Sequence, residues 1–241
     1  MLLQTSNMKR FLAAMAKIEA GMNDGRPNIG IIWGNYGRGK STTMALYTAR
    51  KANARHIRCL RNWSYGNLID ALLAELELPR DRTNGERLQR IVDHLLQEKT
   101  IIIFDEVNHI VGKGELMETI RDIHDLSDNN PMVLVGSDDF YYGAKRYGAL
   151  WDRVRVIEKL PDIGAEDVML FAKHLVSAEV TKEVAEEIGR VYGRSIRRIQ
   201  VVLEAVEAFA SANSVKEVDL KTYRRIKKPE DEDGKKAAKH P

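Results

Sequence analysis

Gly34-Asn35-Tyr36-Gly37-Arg38-Gly39-Lys40-Ser41 follows the pattern G-x-x-x-x-G-K-[ST], and its reading decides the fold. Glycines let successive backbone N–H groups curl around an anion without interference from a Cβ. Lys40 is placed to reach the β- and γ-phosphates of a nucleotide, and the Ser41 hydroxyl to hold Mg²⁺. Thr42 follows as a further candidate contact. The motif needs a strand before it and a helix after it. Ile29-Gly30-Ile31-Ile32-Trp33 reads as a short buried strand, and Ser41 to Lys51 as a helix with Met44, Ala45, Tyr47 and Thr48 at helical spacing. The helix N-terminus would add its partial positive charge beneath the phosphates.

Further along, Ile101-Ile102-Ile103-Phe104 runs directly into Asp105-Glu106. Two acids at the end of a buried strand repel each other unless a cation is near. Asp105 is the candidate to hold the water shell of Mg²⁺, and Glu106 to orient and polarise an attacking water. Met132-Val133-Leu134-Val135 forms another apolar strand and ends at Gly136-Ser137. Ser137 is a candidate to touch the γ-phosphate, with helix N-capping as its alternative role.

Working outward, Met8 to Met22 reads as an amphipathic helix, Ala54 to Leu60 as a strand, and Val154 to Ile157 as a last short strand. Helices are expected over residues 64–76, 86–97 and 115–126. Strands alternating with helices predict an α/β fold with a five-stranded parallel sheet between helices. After Pro161 the spacing predicts only helices, over residues 164–176, 181–192, 195–211 and 218–226. The expected organisation is an N-terminal helix and turn (1–26), an α/β nucleotide-binding domain (27–161), a small all-helical lid (162–226) and a charged, disordered tail (227–241).

Composition narrows the setting. The 241 residues are 44% hydrophobic and 30% charged, with a net charge of +3. That balance permits nucleic-acid binding without arguing for it, so any such binding must come from local clusters of Lys and Arg. Cys59 is the single cysteine, so no intrachain disulfide forms, and a reduced, cytoplasmic setting is expected. No secretory leader is visible, and no stretch approaches the roughly 20 apolar residues of a membrane helix. The histidines show no metal-ligand spacing and are expected to be packing or surface residues, leaving Mg²⁺ as the expected metal.

These motifs together resemble the AAA+ ATPases over about residues 10–226. That resemblance implies a P-loop NTPase with a helical lid, binding ATP and Mg²⁺ and hydrolysing ATP. It implies a sensor arginine early in a lid helix, for which Arg197 in Gly193-Arg194-Ser195-Ile196-Arg197-Arg198 fits best. It also implies a finger arginine acting in trans on a neighbouring subunit. Arg153 in Leu150-Trp151-Asp152-Arg153 takes that role, with Arg146 and Arg155 as alternatives.

The order of elements, with "LWDRVR" and "GRSIRRI", is similar to the phage Mu B, TnsC and IstB type of transposition regulators. This narrower resemblance implies a phage- or transposon-encoded protein that assembles as a helical filament or ring on double-stranded DNA. It would deliver target DNA to a DDE transposase, with ATP hydrolysis driving disassembly. DNA contacts are then expected at Arg58, Arg61, Asn62, Trp63, Tyr65, Arg80, Arg82, Thr83 and Asn84, a basic run with aromatic residues interleaved. Arg224, Arg225, Lys227 and Lys228 form a second basic cluster, at a helix end. Asn108 departs from the resemblance, where a second Asp is frequent, and Ser137 stands where Asn or Thr is more usual. An AAA+ helicase loader or remodeller, and a P-loop kinase of a small molecule, are the alternatives.

Overall fold

The computed structural model describes residues 3–226. They form two compact units: Asn7–Leu160, and the chain from Pro161 onward together with the first residues up to Ser6.

The first unit is built on five strands: β1 (Ile29–Trp33), β2 (Ala54–Arg58), β3 (Ile101–Asp105), β4 (Met132–Gly136) and β5 (Val154–Lys159). Their order across the sheet is β2-β3-β4-β1-β5, and every pairing is parallel. The three central strands are buried along their whole length, as continuous apolar runs must be when helices cover both faces. Side-chain alternation divides them into two cores. Ile29, Ile31, Ile102, Phe104, Met132 and Leu134 face α3 (Tyr65–Glu75), α4 (Asn84–Gln97) and α5 (Gly114–Leu126). Ile32, Ile101, Ile103, Val133 and Val135 face α1 (Ser6–Ala20) and α2 (Lys40–Arg50), which contribute Phe11, Met15, Ile18, Met44 and Tyr47. The N-terminal helix therefore contributes to the core of the sheet.

Helices α3 and α4 start at capping boxes, Ser64 with Asn67 and Thr83 with Glu86, which satisfy the free N–H groups of the first turn. Two short helices outside the sequence expectation, α6 (Asp138–Ala144) and α7 (Gly148–Trp151), lead from β4 to β5. The topology positions the site. β4 lies between β1 and β3, with Trp33 opposite Gly136 and Phe104 opposite Leu134. The loops after β1, β3 and β4 therefore leave from one edge, where open parallel sheets bind ligands.

The second unit holds α8 (Ala165–Leu175), α9 (Lys182–Tyr192) and α10 (Ile196–Asn213), and the chain is helical again over 220–226. Val168, Phe171, Ile188, Ile199, Leu203 and Tyr223 form its core. The expectation of an all-helical lid needs correction. β6 (Glu179–Val180) and β7 (Glu217–Val218) pair as a two-stranded parallel sheet, so residue 218 belongs to a strand and the last helix starts later. Glu179 N–H donates to Lys216 C=O at 2.9 Å and Thr181 N–H to Val218 C=O at 3.2 Å. Strands of two residues are too short to show an alternating pattern, which is why periodicity cannot find them. The disordered-tail reading of 227–241, with Lys227 and Lys228, lies outside the described residues. No helix among the described residues is long and apolar enough to cross a membrane.

Candidate nucleotide site

The loop after β1 is shaped by backbone angles open only to glycine without strain. Gly37 and Gly39 stand at φ 80° and 84°, and Gly39 is the residue from which α2 begins. The unpaired N–H groups of that helix start make the loop an anion cradle. Lys40 is folded into it: Nζ donates to the carbonyls of Gly34 at 2.6 Å and Asn35 at 3.0 Å. Burial pushes the Lys40 pKa below its ordinary value; Glu106 and Asp105 oppose that shift, while Arg38 adds to it. A buried ammonium held only by carbonyls gains most from an anionic ligand. Arg38 is itself buried and donates to Leu160 C=O at 2.8 Å, so its side chain braces the loop against the end of β5. Tyr36 is 59% exposed, with Lys40 Nζ 5.7 Å from its ring centre.

The two motifs meet at Asp105. Its carboxylate is buried, Oδ2 accepts from Ser41 Oγ at 3.3 Å, and Oδ1 accepts from Glu106 N–H at 2.8 Å. His56 on β2 brings Nε2 to 3.7 Å from the same Oδ2. A hydroxyl beside a buried carboxylate is an oxygen donor set that fits Mg²⁺. Glu106 adopts the left-handed conformation, φ 55° and ψ 38°, at the head of a 3-10 turn, Val107–His109. A non-glycine residue persists there only when its surroundings over-determine it, and such strain gathers at functional sites.

Ser137 is buried and stands at the start of α6, yet its hydroxyl makes no capping bond to that helix. Both the position between the two motifs and the uncommitted hydroxyl suit a contact with a ligand. Thr42 is exposed on the first turn of α2.

The arginines expected around the site are placed differently. Arg153 precedes β5, at the sheet edge opposite the phosphate loop. Its guanidinium is fully engaged: Nε and one Nη donate to the two Asp125 oxygens at 3.1 and 2.8 Å, and the other Nη to Ala149 C=O at 2.7 Å. It cannot serve the loop of its own chain. Arg155 pairs with Asp24 at 2.5 Å. Arg146 is exposed, with a 3.4 Å contact from Nε to Gly143 C=O. In the second unit, Arg197 is exposed on the first turn of α10.

The expected DNA contacts divide. Arg58, Arg61, Asn62 and Arg82 are exposed. Trp63 is a correction: it is buried in the core under β2, and Tyr65 packs half-buried beside it, so no exposed aromatic ladder interleaves the basic residues. Trp63 N–H donates to Leu60 C=O at 3.2 Å, closing a turn that leaves Arg61 and Asn62 exposed while the indole packs into the core, where its large apolar area is removed from water. Arg80 pairs with Asp70 at 2.7 Å, the Thr83 hydroxyl and N–H both engage Glu86, and Asn84 Oδ1 accepts from Arg87 at 3.2 Å.

Sequence reasoning missed the turn behind Glu106. Asn108 Nδ2 donates to the Tyr36 hydroxyl at 3.1 Å, and His109 Nδ1 lies 3.0 Å from Cys59 C=O. His56 and His109, expected as packing or surface residues, both border the acidic strand end. Their only signal in the sequence is proximity to the acids or to the neighbouring strand.

Residues 23–141 match the family model of the AAA domain. No curated protein matches the chain. Among solved structures, Cdc6p from Pyrobaculum aerophilum is 14% identical with a TM-score of 0.63, covering 92% of this chain and 66% of that one. The Aeropyrum pernix Orc1 protein, solved in complex with DNA, is 15% identical with a TM-score of 0.58, covering 95% and 66%. The Thermotoga maritima RuvB Holliday junction branch migration motor is 16% identical with a TM-score of 0.57, covering 93% and 68%. This chain spans about two thirds of the length of each. At these identities the likeness carries the fold, and the fold is that of the P-loop AAA+ ATPases.

Proposed function

We propose that this chain, an AAA+ ATPase by domain and fold, binds and hydrolyses ATP while assembled on double-stranded DNA. The observation that carries the ATPase reading is the Ser41–Asp105 contact, which joins the two motifs at one edge of the sheet. Lys40 leaves its loop carbonyls for the β- and γ-phosphates. Ser41 and Asp105 would hold Mg²⁺, which would supply charge neutralisation at the phosphates. Glu106 takes a proton from the attacking water as general base, and Ser137 hydrogen-bonds the γ-phosphate. Arg197, and Arg153 supplied in trans, stabilise charge in the transition state.

The DNA reading is supported by Arg58 and Arg61, exposed at the end of β2, the strand paired with β3. The finer role, a transposition regulator of the Mu B, TnsC and IstB type that recruits a DDE transposase from a filament, rests on the resemblance of the sequence segments. Electron microscopy of the protein with ATP and duplex DNA tests it directly. Filaments or rings on DNA are the expected result, and DNA binding should weaken steeply with salt. Absence of DNA binding in the presence of ATP would sink this reading.

The burial of Trp63 and the pairing of Arg80 favour a second reading, a helicase loader or remodeller whose partner is a protein. That reading expects ATP turnover that ignores DNA.

A further inference from the structure

The turn Val107–His109 touches three elements of the site at once. Glu106 heads it in the left-handed conformation. Asn108 Nδ2 donates to the hydroxyl of Tyr36 in the phosphate loop at 3.1 Å. His109 Nδ1 lies 3.0 Å from the Cys59 carbonyl, and because a carbonyl only accepts, Nδ1 carries the proton. Cys59 opens the loop that displays Leu60 and Arg61, and its own N–H donates to Asp105 C=O at 2.9 Å. At the far end of that loop, Lys113 Nζ donates to Trp63 C=O at 2.6 Å. Both ends of the loop are thus gripped by side chains from the segment that follows Glu106.

We propose that the turn Val107–His109 couples the loop at residues 60–62 to the Glu106 carboxylate, with His109 as the positioning residue. A DNA phosphate drawn to Arg58 and Arg61 pulls on the loop. The His109–Cys59 bond passes that displacement to the turn, and the backbone of Glu106, held in a strained well, changes where its carboxylate sits. Asn108 and Tyr36 tie the same turn to the nucleotide. The coupling of binding energies is reciprocal, so nucleotide in the loop alters DNA affinity by the factor that DNA alters nucleotide affinity. This inference rests on the DNA reading above.

The test compares His109→Phe, which keeps a ring but loses the donor, with His109→Asn, whose side-chain N–H replaces Nδ1–H. ATP turnover is measured with and without a mixed-sequence duplex, alongside nucleotide affinity from a fluorescent ATP analogue and duplex affinity from anisotropy. His109→Phe is expected to keep both affinities within about twofold, while the ratio of duplex-bound to duplex-free turnover falls to about one. His109→Asn is expected to keep the parent ratio. A His109→Phe variant with an undiminished ratio overturns the coupling, including the case in which both turnovers fall together. Should His109→Phe lose nucleotide binding through misfolding, Lys113→Met carries the test. It frees the other end of the loop, and its expected result is again a reduced ratio, an unchanged one overturning the proposal. Two outcomes of the parent protein are distinct: failure to bind duplex in the anisotropy arm refutes the DNA reading itself, and the coupling with it, whereas duplex binding with turnover unchanged overturns the coupling alone.

Discussion

At the scale of single residues, the site is a set of groups held against their ordinary preferences. Lys40 is an ammonium buried among carbonyls, and Glu106 is a non-glycine in left-handed backbone. Lys40→Ala removes the ammonium folded into the loop, so nucleotide binding should be lost in a titration with fluorescent ATP. Glu106→Gln keeps the shape and the binding groups but cannot accept a proton. Its nucleotide affinity should hold while turnover drops by roughly 10² or more. Cys59 sits in the core with its thiol pushed well above the ordinary pKa, first by burial and then by Asp105 and Glu106. The thiolate is the reactive form. Alkylation of the folded protein at neutral pH should therefore require opening and run far slower than in the unfolded chain at the same reagent concentration, and rapid labelling in native buffer would contradict that placement.

At the scale of elements, the segment from β2 to α4 separates packing from recognition. Trp63 and Arg61 are two residues apart, yet one is core and the other solvent-facing. Trp63→Ala should cost about 3–5 kcal/mol in denaturant unfolding, as a large buried side chain does. Arg61→Ala should leave the unfolding midpoint unchanged and weaken duplex binding, with a shallower salt dependence. Equal effects of the two on stability would place Arg61 in the structure rather than at the DNA. The capping box with Glu86 explains why Thr83, polar and in a basic loop, is taken up in starting α4, while the Asn84 side chain accepts from Arg87.

At the scale of the whole molecule, an arginine finger acting in trans, as proposed for Arg153, would make the site shared. Arg153 lies at the far edge of the sheet from its own phosphate loop, paired with Asp125. If it acts on a neighbour, it must first leave that pair. Turnover per subunit should then rise with protein concentration, and Arg153→Ala should remove the rise while ATP still binds. A rate per subunit that stays flat in the parent would rule out a shared site. An unchanged rise in Arg153→Ala would move the role to Arg146, which is exposed and has no carboxylate partner among the contacts described.

The sequence alone determined the phosphate loop, the acidic strand end and the alternation of strands and helices. These are local facts: glycines at fixed spacing, four apolar residues running into two acids, and apolar periodicity each leave a mark within a few residues. Only the tertiary structure decided that β4 separates the two motifs, that Ser41 meets Asp105, and that Trp63 turns inward while Arg61 does not. It alone placed Arg153 on Asp125 and paired the two-residue strands of the second unit. Each depends on residues far apart in the chain, whose partners are chosen by sheet order and burial. The motif on which the fold turns, Gly34 to Ser41, is half of a site; chain topology brings the other half, 64 residues on, within hydrogen-bonding distance.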